Sequence, residues 1–309
     1  KNACYSGVAG LQMAVNFVLS NVSPGAKVLV IATDVSRFMV EEGGEALSAD
    51  WSFAEPSGGS GAVAMLVSDR PHVFQIDVGA NGYYGYEVMD TCRPSPDGDA
   101  GDTDLSLLSY LNCCENAYME YQKRVEGAHF AETFGYIAYH TPFGGMVKGA
   151  HRNMMRKLVK AKPAEIEVDF QRRVTPGLIH CQRVGNIMGA TAALSLASTI
   201  ENADYDAPQR IGVFSYGSGC CSEFFSGVAR PESRERLRAM GIGKRLDARY
   251  EMTMAQYDTL LEKSRSLKFG TRNMVPDVDF VPEARRALGQ PTLFLKEIKE
   301  FHREYEWVS

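Results

Sequence analysis

No uninterrupted apolar run in this 309-residue chain is long enough to cross a bilayer, and the mean hydropathy is −0.21. A membrane-spanning helix is therefore not expected, and the opening residues do not read as a secretory leader. Basic charge is not in excess. Lys and Arg total 33 against 38 Asp and Glu, for a net charge of −5 and a pI near 5.8. This balance speaks against broad nucleic-acid binding and leaves room only for a local basic groove. The chain has seven cysteines but no CxxC pair, and no cysteine–histidine group has metal-site spacing. Thioredoxin-type chemistry, structural zinc and a metal centre are thus not expected. Two cysteine pairs adjoin, Cys113-Cys114 and Cys220-Cys221, unlike a disulfide framework. A reducing cytoplasm is the simpler setting. Neither GxGxxG nor GxxxxGK[ST] occurs. The glycine-rich stretch SGGSG, 57–61, precedes a strand and so reads as turn and close-packing material. Internal repeats and low-complexity segments are also missing.

What is present is a mixed pattern of strands and helices. The chain is 45% hydrophobic, enough for a substantial core in one large or two ordinary domains. Val8, Leu11, Val15, Val18 and Leu19 form a helical stripe that Asn21 and Pro24-Gly25 stop. KVLVIAT, 27–33, has the near-continuous apolar character of a central strand, and GAVAMLV, 61–67, reads as another. Between them lies an excursion holding Glu41, Glu42, Glu45, Asp50 and Glu55. A loop at 95–104 precedes a long periodic segment through Val125. GYIAYH, 135–140, reads as a strand ending at a histidine. Pro142 falls in a first-turn position of a basic helix. A small-residue helix follows Gly185-Asn186. IGVFSYGSG, 211–219, is a strand entering a glycine turn, with 220–229 as its hairpin partner. The tail after 230 is charged, with helical stretches and loops. The pattern restarts between 126 and 134, which sets a boundary there.

Four pieces carry candidate chemistry. Cys4 sits at a helix start, where free N–H groups and the helix dipole stabilise a thiolate; it reads as a nucleophile or as a small packed residue. His140, at a strand end, reads as a donor to a carbonyl or as a satisfied core histidine. Asn186 reads as an oxyanion donor or as a helix cap. The GSG turn, Gly217, Ser218 and Gly219, reads as a source of backbone N–H groups for a thioester oxygen or as a simple hairpin turn. His72, His129, His151 and His180 lie near charged or loop-like segments and draw less attention. Lys148, Arg152 and Arg156 share one helical face, suited to a carrier phosphate or to plain solvent exposure. One of Glu41, Glu42 and Glu45 is a candidate for lining an entrance. Met154, Met155 and Met188 read as packing residues.

ACYSG at 3–7, PSGGSGAVAMLVSD at 56–69, DLSLLSYLNCCENAYMEY at 104–121, YHTPF at 139–143, VGN at 184–186 and FSYGSG at 214–219 occur together in this order. In this the chain resembles the 3-hydroxy-3-methylglutaryl-CoA synthases over nearly its whole length. KNACYSG and RRVTPGLIHCQRVGN bring it nearest the branch that installs β-branches on polyketide intermediates. The resemblance implies an α/β thiolase-like layered fold of two related halves, the first incomplete, here 1–128 and 129–309, commonly in a homodimer. It implies Cys4 as the acylated nucleophile, and His140 and Asn186 on the acceptor's ketone oxygen. It places Ser218 in the turn whose backbone holds the acyl-cysteine carbonyl.

Phosphopantetheine-bound thioesters would be the substrates, with no other cofactor, and donor and acceptor acyl carrier proteins the partners. The family's general acid/base glutamate precedes the cysteine. Only three residues precede Cys4 and there is no initiator methionine, so a missing N-terminal segment is expected to be needed for full turnover. Other readings are a CoA-dependent HMG-CoA synthase of primary metabolism, a ketoacyl synthase and a noncatalytic thiolase-like scaffold.

Overall fold

The computed structural model describes residues 3–35, 57–95, 98–266, 270–277, 281–287 and 291–308. Glu41, Glu42, Glu45, Asp50 and Glu55 lie outside the described residues. Two compact units are present. The larger takes in nearly all described residues up to Gly241, and the smaller is formed chiefly by those from Ile242 onward.

A single 3-10 turn, Ala3–Tyr5, leads into α1, Ser6–Leu19. The apolar stripe forms the helix as expected, burying Val8, Leu11, Ala14 and Val15. Asn21 turns left-handed after it, with φ 54°. Then β1, Val28–Val35, and β2, Ser60–Val67, pair antiparallel, Val28 opposite Val67. The apolar run at 27–33 predicts a strand covered on both faces, but burial alternates. α1 packs on one face, while Leu29, Ile31 and Val35 on the other are 58%, 62% and 62% exposed. Among the described residues β1 bonds only to β2.

The main sheet joins β3, Gln75–Gly85, to three later strands. Between them come the short β4, Thr91–Ser95, and β5, Gly98–Gly101, and then α2, Thr103–Arg124. Asp102 caps α2 by accepting the Leu105 N–H at 2.8 Å. β6 is Tyr136–Tyr139. α3, Gly144–Met154, continues as a π turn at Met155–Val159, and α4, Pro163–Arg173, and α5, Thr175–Val184, follow. A 3-10 turn, Met188–Ala190, precedes α6, Thr191–Asn202. β7, Gln209–Gly217, and β8, Cys221–Ala229, form the expected hairpin, and α7, Pro231–Met240, closes the unit. The sheet order is β3-β8-β7-β6, with β6 and β7 parallel and the other neighbours antiparallel. β3 and α2 lie upstream of the restart at 126–134, yet they share this sheet-and-helix layer with β6–β8.

Alternation along the central strands divides the core in two. Ile137, Tyr139, Phe214 and Phe224 meet α2 through Tyr110, Cys114, Tyr118 and Tyr121. Ala138, Val213 and Phe225 meet α1 and α6 on the opposite face. Gly82 lets α2 lie against β3, since a β-carbon there would sit 2.2 Å from the Ala117 carbonyl oxygen. The charged center of the first face is Arg173, fully buried. It donates to the carbonyls of Phe130 and Phe134 and to the Asp169 carboxylate, which also meets His151 Nε2 at 2.8 Å. Burial opposes the charge on Asp169, but the bonds from His151 and Arg173 hold its carboxyl well below the usual range. His151 and His180 are therefore buried partners of acids, His180 of Glu201 at 2.8 Å, and not loop residues.

α3 begins at Gly144 and not at Pro142. Phe143, the residue before it, is extended (φ −157°, ψ 159°), so Pro142 stands ahead of the first turn. In the smaller unit, α8, Ile242–Asp247, α9, Met254–Ser266, and α10, Pro282–Ala287, precede a hairpin of β9, Thr292–Lys299, and β10, His302–Val308. The hairpin is absent from the sequence expectation. Its turn uses Glu300 and Phe301, both at positive φ, in place of the usual glycine or asparagine.

Candidate active site

The 3-10 turn carrying Cys4 packs against β7, β8 and the 188–190 turn. Cys4 is half-buried, just ahead of the 14-residue α1, whose first turn holds no acidic residue. No acid within the helix's own first turn offsets its dipole and free N–H groups. The approach is set by glycine. A β-carbon on Gly7 would lie 1.9 Å from the Gly189 carbonyl oxygen, and one on Gly189 would lie 2.8 Å from Ser6 Oγ. Helix start and turn therefore touch backbone to backbone.

This contact brings Cys4 and Asn186 to one atom. The Cys4 thiol donates to Met188 Sδ at 3.7 Å, and Asn186 Nδ2 donates to the same sulfur at 3.6 Å. Asn186 is held on all sides. Its Oδ1 accepts the Met188 N–H at 3.0 Å and the Thr191 hydroxyl at 2.9 Å. Its backbone N–H donates to Ser57 O at 2.7 Å, and its carbonyl accepts from Gly59 N at 2.9 Å. The cap and the donor are thus two ends of one amide, Oδ1 fixing the turn and Nδ2 facing the thiol's neighbour. SGGSG serves this packing: a β-carbon on Gly59 would lie 2.0 Å from Val184 O. Met188, read from sequence as packing, is half-buried at the site itself and strained at φ 50°.

His140 follows β6 directly, as expected. Its N–H donates to Phe214 O at 2.7 Å and its carbonyl accepts the Tyr110 hydroxyl at 2.6 Å, so the backbone is locked. By strand alternation His140 continues the side of Ala138, and Ser215 that of Val213. That is the α1 face, where Tyr5 also lies. His140 is 1% exposed, and burial pushes its imidazole down to about 3. His140 Nδ1 and Ser215 Oγ are both buried without a hydrogen-bond partner. Unpaired buried polar atoms are rare in native proteins and point to a group that binds there.

The GSG turn is held from outside the motif. Gly219 and Cys220 both take positive φ, 81° and 60°. The fully buried Asp90 accepts the Gly219 N–H at 2.7 Å and the hydroxyls of Tyr216 at 2.6 Å and Ser106 at 3.3 Å. The Gly219 N–H is therefore committed to a carboxylate, while Gly217 lies in the ladder opposite Cys221. Asp90 went unnoticed in the sequence because its partners lie up to 129 positions away.

Lys148, Arg152 and Arg156 are not joined to these groups. Lys148 pairs with Glu167 at 2.8 Å, and Arg152 and Arg156 are exposed, Arg156 within the π turn. Among the described residues no group of three or more His, Cys, Asp or Glu is placed to hold a metal ion, and no helix is long and apolar enough to cross a membrane.

Comparison with known proteins places this arrangement. The family model for the hydroxymethylglutaryl-coenzyme A synthase C terminal matches residues 152–307. The polyketide biosynthesis 3-hydroxy-3-methylglutaryl-ACP synthase PksG of Bacillus subtilis is 63% identical over 310 residues, covering 100% of this chain and 74% of PksG. The chain belongs to the hydroxymethylglutaryl synthase family. A crystal structure of the curacin biosynthetic pathway HMG synthase with acetyl donor-ACP matches with a TM-score of 0.94 at 64% identity, over 100% of this chain and 73% of that one. The MvaS structure in complex with 3-hydroxy-3-methylglutaryl coenzyme A matches at TM-score 0.78 and 29% identity, over 100% and 73% of the two chains. The fold is the α/β, thiolase-like fold of hydroxymethylglutaryl synthases.

Gly7→Ala tests the close approach within this synthase fold. The methyl group pushes the 188–190 turn from the helix start, and a displacement near 1 Å costs about 100-fold in a positioned reaction. Acetylation of the protein by an acetyl thioester, timed by intact mass, is expected to slow by about that factor. An unchanged rate refutes the role of the contact.

Proposed function

We propose that this synthase condenses an acetyl unit, carried on Cys4, with the β-ketone of a polyketide thioester held on an acyl carrier protein. The observation that carries this reading is the convergence of the Cys4 thiol and the Asn186 amide on one atom at the start of α1. The Cys4 thiol gives up its proton and attacks a phosphopantetheine thioester; the C–S bond to the carrier breaks, and the carrier's thiolate leaves and takes up that proton. An α-proton is then removed from acetyl-Cys4. The family resemblance gives that step to a glutamate ahead of the cysteine. The carbanion equivalent attacks the acceptor ketone while His140 and Asn186 donate to the developing alkoxide. Water cleaves the Cys4 thioester and releases a 3-hydroxy-3-carboxymethyl product. Covalent attachment holds one substrate while the second enters. A neutral His140 suits this role, because it donates an N–H without bringing a charge that the buried site would have to solvate.

The acceptor carrier protein, a homodimer and a cytoplasmic setting belong to the same proposal, supported by the family resemblance. So do Ser218 as backbone support and Arg152 and Arg156 as exposed cations for a carrier phosphate. The two related halves belong to the proposal as well: two separate helix-backed sheets support them, and the pairing of β3 with β8 favours a seam ahead of β3 over one at the restart at 126–134.

Carrier dependence rests on the 63% identity to an ACP-directed synthase, against 33% over 266 residues to the Enterococcus faecalis hydroxymethylglutaryl-CoA synthase, covering 85% of this chain and 64% of that protein. Acetyl-carrier protein is expected to acetylate Cys4 with a kcat/KM at least about tenfold above acetyl-CoA, a difference of about 1.4 kcal/mol. Intact-mass time courses with each donor decide it. Equal rates, or a preference for CoA, favour the primary-metabolism enzyme.

A further inference from the structure

Glu223 stands alone as an acid in the apolar strand β8, and it is fully buried. Its carboxylate faces hydrogen-bond donors. Oε2 accepts the Tyr5 hydroxyl at 2.8 Å, and Oε1 accepts Gln12 Nε2 at 2.7 Å and Asn81 Nδ2 at 3.1 Å. Tyr5 adjoins Cys4, and Gln12 lies two turns further along α1. Glu223 also stands opposite Ser215 on β7 and opposite Tyr83 on β3. One side chain thus ties the nucleophile's turn, its helix and the strand beside the FSYGSG segment. On the reading that Cys4 is acylated, the geometry points to Glu223 as a positioning residue that sets the height of the Cys4 turn over β7 and β8. It acts on the Cys4 turn through its bonds to Tyr5 and Gln12.

The clamp is sensitive to its own proton. Burial pushes the Glu223 carboxyl up to about 7, against the lowering effect of its hydrogen bonds to Tyr5, Asn81, Tyr83 and Gln12. The titratable and charged groups facing it are Tyr5 from the opening turn, Tyr83 from β3, Cys221 from its own strand, and Arg124 from α2. Arg124 acts through Asn81, whose Oδ1 accepts from Nη1 at 2.8 Å. The anion accepts from every donor around it. The protonated acid carries a hydrogen that must turn one of those donors away or reverse it. The clamp therefore holds above neutrality and loosens below it.

The test follows single-turnover acetylation of Cys4 by acetyl-carrier protein, read by intact mass from pH 5.5 to 9, in the wild type, Glu223→Gln and Tyr5→Phe. Glu223→Gln keeps the volume but puts a donor where one acceptor stood. The saturating rate is expected to fall about tenfold in both variants, with the donor's half-saturation within about threefold of wild type. The wild-type acid limb near pH 7 is expected to vanish in Glu223→Gln. Wild-type rates and an unchanged profile in both variants overturn the inference, as does a loss confined to half-saturation. Should Glu223→Gln fail to fold, Tyr5→Phe decides alone. Absence of acetylation in the wild type overturns the nucleophile reading, and this inference with it.

Discussion

Cys4→Ala is expected to accept no acetyl group from acetyl-carrier protein, and turnover in the protein with any residues preceding Lys1 retained falls by at least about 10⁴-fold. The expectation rests on how differently the seven thiols are placed. Cys113 and Cys114 lie inside the α2 core, where burial pushes their thiols well above the ordinary range. Burial pushes Cys181 up to about 12, a weaker opposing effect coming from Thr141. These three are poor thiolates and closed to an acyl donor. Cys4 has different surroundings: half-buried, at a helix start whose own first turn holds no acid, and against the Asn186 turn. The substitution removes one sulfur from a partly exposed turn, so stability should shift by no more than about 1 kcal/mol. A folded variant without the adduct is therefore the informative result. Intact mass gives the adduct, and peptide mapping separates Cys4 from the half-buried Cys92 and Cys221. An adduct that persists in Cys4→Ala removes the nucleophile assignment.

Much of this site was legible because its parts are local. The stripe from Val8 to Val15 announces α1, and a helix start beside a cysteine is visible within a few residues. The β7–β8 hairpin follows from two apolar runs around GSG, and His140 from a strand that ends on it. What escaped depends on contacts between distant positions. Cys4 and Met188 are 184 residues apart, and Tyr5 and Glu223 are 218 apart. Nothing next to Met188 separates a gap-filling methionine from one lying between a thiol and an amide. Glu223 did leave a signal, a lone acid in an apolar run, since a charge there must find partners or shift its proton equilibrium. Asp90 gave none, lying between strands in a polar stretch. The β9–β10 hairpin was hidden for another reason: its strands are charged and its turn is Glu300-Phe301, so neither composition nor turn chemistry marked it. The basic segment is legible only in part: Arg152 and Arg156 are exposed, while Lys148 pairs with Glu167, a contact that no spacing within its own helix announces.

His140→Ala separates the two half-reactions. Acetylation of Cys4 is expected to stay within about threefold of wild type, while condensation with an acetoacetyl-carrier acceptor falls by about 10²–10⁴-fold, the usual worth of a positioned donor. His140→Asn, which restores an N–H donor, should recover part of the loss. The pH profile should carry no histidine limb near 6.5, because burial alone holds the wild-type imidazole down at about 3 and therefore neutral across the working range. The same depression has a sign for stability. Above about pH 6.5 folded and unfolded chains both hold the histidine neutral, and nothing is lost. As pH falls below that, the unfolded chain takes up a proton that the folded one refuses. His140 therefore destabilises the fold progressively between about 6.5 and 3, a penalty that His140→Ala lacks. Acid unfolding of the two proteins, followed by circular dichroism, should show the variant losing less stability over that window, after allowance for the cavity it creates at neutral pH. The condensation assay uses the protein with any residues that precede Lys1 retained. Quenched product analysis then decides the role: condensation at the wild-type rate removes His140 from the chemistry, and a parallel loss of acetylation makes it a structural residue of the nucleophile's face.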